Sequence, residues 1–106
     1  MFPSRRKAER AYWATTCPFD YQGQLEIWFS RRGIPILICD ECATIWLDPS
    51  DVRAENGALT DPSARTLEFD DDVFSYHEKQ PPSAEDIKRI GWWRFVHPLS
   101  IEVHQQ

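Results

Sequence analysis

The sequence predicts a small α+β domain, an antiparallel sheet built on a β-hairpin with one or two short helices, and three observations carry that prediction. Residues 24–29 alternate at first and then turn aromatic. Arg31, Arg32 and Gly33 supply a turn, and the apolar run Ile34, Pro35, Ile36, Leu37, Ile38, Cys39 is strand-length, so the segment reads as a hairpin. Ser83, followed by Glu85 and Asp86, then Lys88 and Arg89 and finally Gly91, has the order of a capped helix over residues 84–90. Finally, 106 residues with an apolar fraction of 42% fall in the range of one domain.

Taken in chain order, residues 1–14 form a basic arm, with Arg5, Arg6, Lys7 and Arg10 against Glu9, that enters the fold at Tyr12 and Trp13. Pro35 has no N–H to donate, which places it near the beginning of the second hairpin strand or on an unpaired edge. A further short strand is expected at residues 43–47. Asp48, Pro49, Ser50 and Asp51 then have the side chains to begin a short helix through Val52 and Glu55, ended by Asn56 and Gly57. Asp70, Asp71 and Asp72 read as a solvated turn before Val73, Phe74, Ser75 and Tyr76. After the helix, Trp92, Trp93, Phe95 and Val96 make an aromatic patch, and the alternation of Ile101 and Val103 predicts a final strand. The division is therefore one domain over 1–106, with the hairpin at 17–47 and an acidic segment, helix and aromatic strand at 48–106.

The net charge of −5 is unevenly spread, because residues 48–86 carry eleven acidic side chains against Arg53, Arg65 and Lys79. Such a surface repels a phosphate backbone and attracts a basic protein. Nucleic acid is disfavoured as a partner, although Arg31 and Arg32 at the hairpin tip, with the basic arm, keep a nucleic-acid or transcription adaptor as the alternative. No stretch is long and apolar enough to span a bilayer, and Tyr12, Trp13 and Ala14 lead into Thr15, Thr16 and Cys17 rather than into a signal-peptide core, so no membrane association or export is expected.

Three cysteines cannot all pair, and Cys39 and Cys42 have the spacing of a metal-binding turn, which points to a reducing cytoplasm. Cys17, Pro18, Phe19 and Asp20 repeat that spacing with a carboxylate in the last place. Gly23 follows where the chain must leave the turn. Zinc takes four ligands in a tetrahedron and accepts Asp, so Cys17, Asp20, Cys39 and Cys42 are the candidate set for a structural Zn²⁺. His77, His97 and His104 are weaker candidates for the fourth place, having no knuckle spacing. A redox dithiol is disfavoured because Asp40 and Glu41 would oppose a thiolate. A catalytic zinc is disfavoured because three thiolates make the metal electron-rich and the chain has little room for a substrate pocket. The protein is read as not an enzyme.

Two such turns about twenty residues apart resemble the zinc-ribbon family over residues 17–47. That family normally has four cysteines; Asp20 replaces the second. The replacement leaves two readings, a Cys3Asp site or a hairpin that no longer holds metal. The segment from Ile38 to Trp46, with Cys17–Asp20, looks like small bacterial zinc-ribbon proteins, some of which serve as immunity proteins beside secreted toxins. The resemblance implies a non-enzymatic inhibitor that binds and neutralises a basic toxin or enzyme. Its contact residues are expected at Asp70, Asp71 and Asp72 and at Trp92 and Trp93, which on an extended segment would face opposite sides.

Overall fold

Leu25 and Ile27 on one strand face Cys39 and Leu37 on the next, and Trp28 faces Ile36, in an antiparallel register that runs unbroken from Leu25↔Cys39 to Phe29↔Pro35. The computed structural model that shows this describes residues 11–61, 63–64, 66–69, 71–75 and 81–105. The strands are β1 (Trp13–Thr16), β2 (Gln24–Phe29), β3 (Pro35–Cys39) and β4 (Ile45–Trp46), hydrogen-bonded in sequence order into one four-stranded sheet. A separate two-stranded sheet pairs β5 (Thr66–Phe69) with β6 (Asp72–Ser75). Two short helices follow, α1 (Ala84–Arg89) and α2 (Pro98–His104). The chain is a small antiparallel α+β fold.

The core has two parts, one on each face of the main sheet. Leu25, Ile27, Leu37, Cys39 and Trp46 pack with Cys17, Ile87 and Val96. Ile36, Ile38 and Ile45 pack with Leu67 and Phe74 of the small sheet. Strand β3 is covered on both sides, and so residues 36–39 are apolar without alternation. Pro35 opens β3, where its missing N–H costs no ladder bond within the strand interior. The turn before it closes with Gly33 at φ 85, a left-handed conformation that suits glycine.

Helix α1 has the ends its sequence predicts. Ser83 Oγ accepts from Asp86 N at 3.1 Å while the Asp86 carboxylate accepts from Ser83 N at 3.2 Å, a reciprocal cap. At the other end Gly91 adopts φ 82, Gly91 N donates to Lys88 O and Trp92 N donates to Ile87 O, which is a Schellman closure.

Several expectations are corrected. Residues 101–103 are not a strand but part of α2: Pro98 stands at its first turn, and His97 Nδ1 accepts from Leu99 N at 3.0 Å as the cap. Two alternating apolar residues were too short a pattern to outweigh that start signal. The short helix expected after Asp48 is a single 3-10 turn, Ala54–Asn56, because Asp48 accepts from Ser50 N at 2.9 Å and locks a polar turn first. Residues 13 and 14, expected as the end of the arm, belong to edge strand β1, whose Trp13 N and O are taken by Ser100 Oγ and His97 N. The basic residues at positions 5, 6, 7 and 10 lie outside the described residues, as do Asp70, Tyr76 and His77.

Asp72 is not in a solvated turn. It is 4% exposed, begins β6 and accepts hydrogen bonds from Ser30 Oγ and from Val73 N at 2.7 Å. Burial opposes its charge, but those donors outweigh burial and hold its carboxyl below the usual range. Asp71 is the exposed turn residue, at φ 60. Trp92 and Trp93 do not lie on an extended segment: Trp92 has φ −99 and ψ 0, and Trp93 starts a 3-10 turn. A 3-10 turn separates successive side chains by about 120° rather than 180°, and both rings are half-buried against the same core cluster. Among the described residues no helix is long and apolar enough to cross a membrane.

Candidate metal centre

Two tight turns at one end of the β2–β3 ladder bring the four candidate ligands together. The first leaves β1 at Cys17 and returns at Gly23, with Cys17 N donating to Gly23 O at 2.8 Å. The second leaves β3 at Cys39 and returns at Thr44, with Cys39 N donating to Thr44 O at 3.0 Å. The ladder pair Leu25↔Cys39 joins them, and Asp40 adds cross-links by donating its N–H to Gln24 O and accepting from Gln24 N. Each turn therefore has its position fixed by the same sheet.

Within each turn the backbone points its N–H groups at the first cysteine. Phe19 N and Asp20 N lie 3.3 and 3.4 Å from Cys17 Sγ, and Glu41 N and Cys42 N both lie 3.4 Å from Cys39 Sγ. Four donors aimed at two sulfurs stabilise negative charge there. Burial acts the other way and is stronger, pushing the thiols of Cys17 and Cys39 up. Both are buried and free, and neither is a ready nucleophile.

Asp20 divides its two oxygens between two tasks. Oδ1 accepts from Gln22 N at 2.9 Å and Gly23 N at 3.1 Å, which fixes the carboxylate and holds its pKa down to about 2. Oδ2 is left facing Cys39 Sγ at 3.6 Å. Across the cluster, Cys17 Sγ and Cys42 Sγ are 3.9 Å apart, and all four donor atoms lie within 4.8 Å of one another.

These separations can be compared with those zinc demands. Bonds of about 2.3 Å to sulfur and about 2.0 Å to oxygen in a tetrahedron place sulfurs about 3.8 Å apart and sulfur and oxygen about 3.5 Å apart. One sulfur–sulfur and one sulfur–oxygen separation, 3.9 and 3.6 Å, match those edges, and the whole set lies within 4.8 Å. Three sulfurs and one oxygen gathered this closely are compatible with a metal site.

Gly23 completes the centre by being small. A Cβ there would come within 2.9 Å of both Asp40 Oδ1 and Glu41 Cγ and would also run into Cys39 Sγ. The sequence marked Gly23 only as an exit from the turn; its close approach to the second knuckle needed the tertiary structure. Thr44, whose Oγ1 lies 3.1 Å from Cys42 Sγ, is another residue the ligand spacing did not single out.

The histidines considered for the fourth place are elsewhere or undescribed. His97 caps α2, and His104 stacks on Tyr12 with ring centroids 3.7 Å apart. The hairpin tip with Arg31 and Arg32 lies at the opposite end of the ladder, where Arg31 N donates to Val73 O at 2.6 Å and Arg32 lies close enough to Asp72 to lower its pKa. No family model, curated protein or solved structure matches this chain.

Proposed function

We propose that the chain is a non-enzymatic, zinc-binding protein-interaction module in which Cys17, Asp20, Cys39 and Cys42 hold a structural Zn²⁺ in a zinc-ribbon-like hairpin. The observation that carries the metal half is the gathering of three sulfurs and Asp20 Oδ2 within 4.8 Å of one another. The structural role is supported by the count of ligands. Four protein donors complete a tetrahedron and leave no open position for a substrate, whereas a catalytic zinc keeps one. The metal's contribution would be to clamp β1 to β3 across a sequence distance of more than twenty residues, where a small core has little stability to spare.

The partner half of the proposal is a basic protein, and its support is electrostatic. Three thiolates and a carboxylate around a dication leave the centre net negative, and Asp40 and Glu41 are exposed beside it. An inhibitor of a basic toxin, as an immunity protein is, has this charge, and a reducing cytoplasm suits the three free cysteines. A nucleic-acid adaptor is less well supported, since Arg32 at the hairpin tip lies beside Asp72.

Native mass spectrometry of the protein purified under reducing conditions tests the metal half. One zinc per chain, lost on Asp20→Ala, is the expected result; a metal-free chain would refute it. Binding of a purified basic ribonuclease, a stand-in for a cationic toxin, tests the charge argument separately. The expected binding weakens steeply as salt rises from about 50 to about 200 mM.

A further inference from the structure

Among the described residues two aromatic side chains are exposed, Phe19 at 48% and Tyr21 at 79%, and both belong to the first ligand turn. The other described tyrosine, tryptophan and phenylalanine side chains are half-buried or buried, so elsewhere in this fold aromatic rings serve packing. Tyr21 also occupies a left-handed backbone position, φ 60. Glycine or asparagine fits that conformation with less strain, and a bulky residue there is uncommon. Neither burial nor turn geometry accounts for tyrosine at this place.

The second turn provides a control within the same molecule. Its equivalent left-handed residue, four positions after the first cysteine, is Ala43, small and 4% exposed. The chain thus makes the same turn with a small side chain where the left-handed position is buried.

Exposed carboxylates lie at the same end of the sheet as the two rings. Asp40 and Glu41 are exposed on the adjoining turn, and Gly23 brings that turn against the first one without a side chain between. Arg31 and Arg32 are at the far end of the β2–β3 ladder. Exposed rings and exposed carboxylates on two adjoining turns suit a guanidinium, which can stack on a ring and pair with a carboxylate together.

From this we infer that the face formed by Phe19, Tyr21 and Glu41 is a docking surface for an arginine-bearing segment of a partner protein. The inference goes beyond the metal reading in naming the surface and its occupant. It requires the turn to be folded and not that zinc be the ion that folds it. It also moves the expected contacts away from Asp72, Trp92 and Trp93, whose side chains are engaged in the fold.

The test titrates a short polyarginine peptide into isotopically labelled protein, with a polyglutamate peptide and an oligothymidylate as comparators. Amide shifts confined to residues 18–23 and 40–42, with neither comparator binding, are expected. Tyr21→Asn keeps a left-handed turn while removing the ring, and should weaken polyarginine binding about tenfold while raising the melting temperature. Glu41→Gln should weaken binding and flatten its salt dependence. Metal content is measured on each variant, so loss of the ion and loss of the docking face are read separately. Binding unchanged in Tyr21→Asn, or shifts centred elsewhere, would overturn the inference, and preferential binding of oligothymidylate would replace the protein segment with nucleic acid.

Discussion

The two ligand turns have the same backbone and opposite surroundings. Each has its first cysteine accepting from two N–H groups, a hydrogen bond from the fifth residue's N–H back to the first carbonyl, and a left-handed fifth residue, Tyr21 in one and Ala43 in the other. Yet the fifth and sixth residues are buried in the second turn, Ala43 and Thr44, and exposed in the first, Tyr21 and Gln22. The last ligand differs as well, Cys42 against Asp20. Ligand spacing dictates the local turn, and the rest of the sequence decides whether that turn is core or surface.

The largest effect is expected from the cysteine that both halves depend on. Cys39 is buried, forms the end of the β2–β3 ladder and faces both Asp20 and Gly23. Cys39→Ser should abolish zinc binding and leave the chain unfolded or molten at 37 °C, because apparent binding energies of structural zinc are on the order of 10 kcal/mol. Circular dichroism with metal analysis checks this, and chelation of the unmodified protein should reproduce the loss.

Asp20 measures how unequal the two turns are. Asp20→Asn retains an oxygen for Gln22 N and Gly23 N but removes the charge, so zinc affinity should fall by more than about tenfold with the fold kept at saturating metal. Asp20→Cys should make the turns equivalent and raise zinc affinity above that of the unmodified protein. Competition with a chromophoric chelator reads both. A rise in affinity on Asp20→Asn would mean that the carboxylate is not a ligand.

Gly23→Ala wedges the turns apart and should cost about 2 kcal/mol, seen as a lower denaturation midpoint, together with weaker metal binding. The smallest effect is expected far from both turns, at α1. Asp86→Asn removes the charge from the reciprocal cap and should lower the denaturation midpoint slightly without changing metal content. The Asp86 carboxyl is held low, first by Ser83 N and then by Arg89. A folded value below the unfolded one means stability that is present above about pH 4 and lost as the pH falls further. The difference between this variant and the unmodified protein should therefore shrink below pH 4.

Much of this could be read from residue types at short range. The β2–β3 hairpin, the place of Pro35 and both ends of α1 depend on neighbours within a few residues, and each appears where the sequence placed it. The grouping of Cys17, Asp20, Cys39 and Cys42 was legible for the same reason: two local turns joined by one hairpin need only the hairpin to close. What was not legible depended on distant contacts. Strands β1 and β5 are four residues each and take their identity from pairing with β2 and β6, not from a pattern of their own. The burial of Asp72 needed Ser30, 42 positions away. Trp92 and Trp93 turned inward because Gly91 ends α1 with a reversal that only the folded core rewards.

The central claim is that one tetrahedral ion sits between a three-sulfur, one-oxygen set of ligands. X-ray absorption at the zinc edge on the purified protein tests it most directly. The account predicts three sulfurs at about 2.3 Å and one oxygen at about 2.0 Å. A nitrogen in the fourth place would assign that position to a histidine rather than Asp20, and a chain that takes up no zinc would reduce the two turns to a hairpin without a metal.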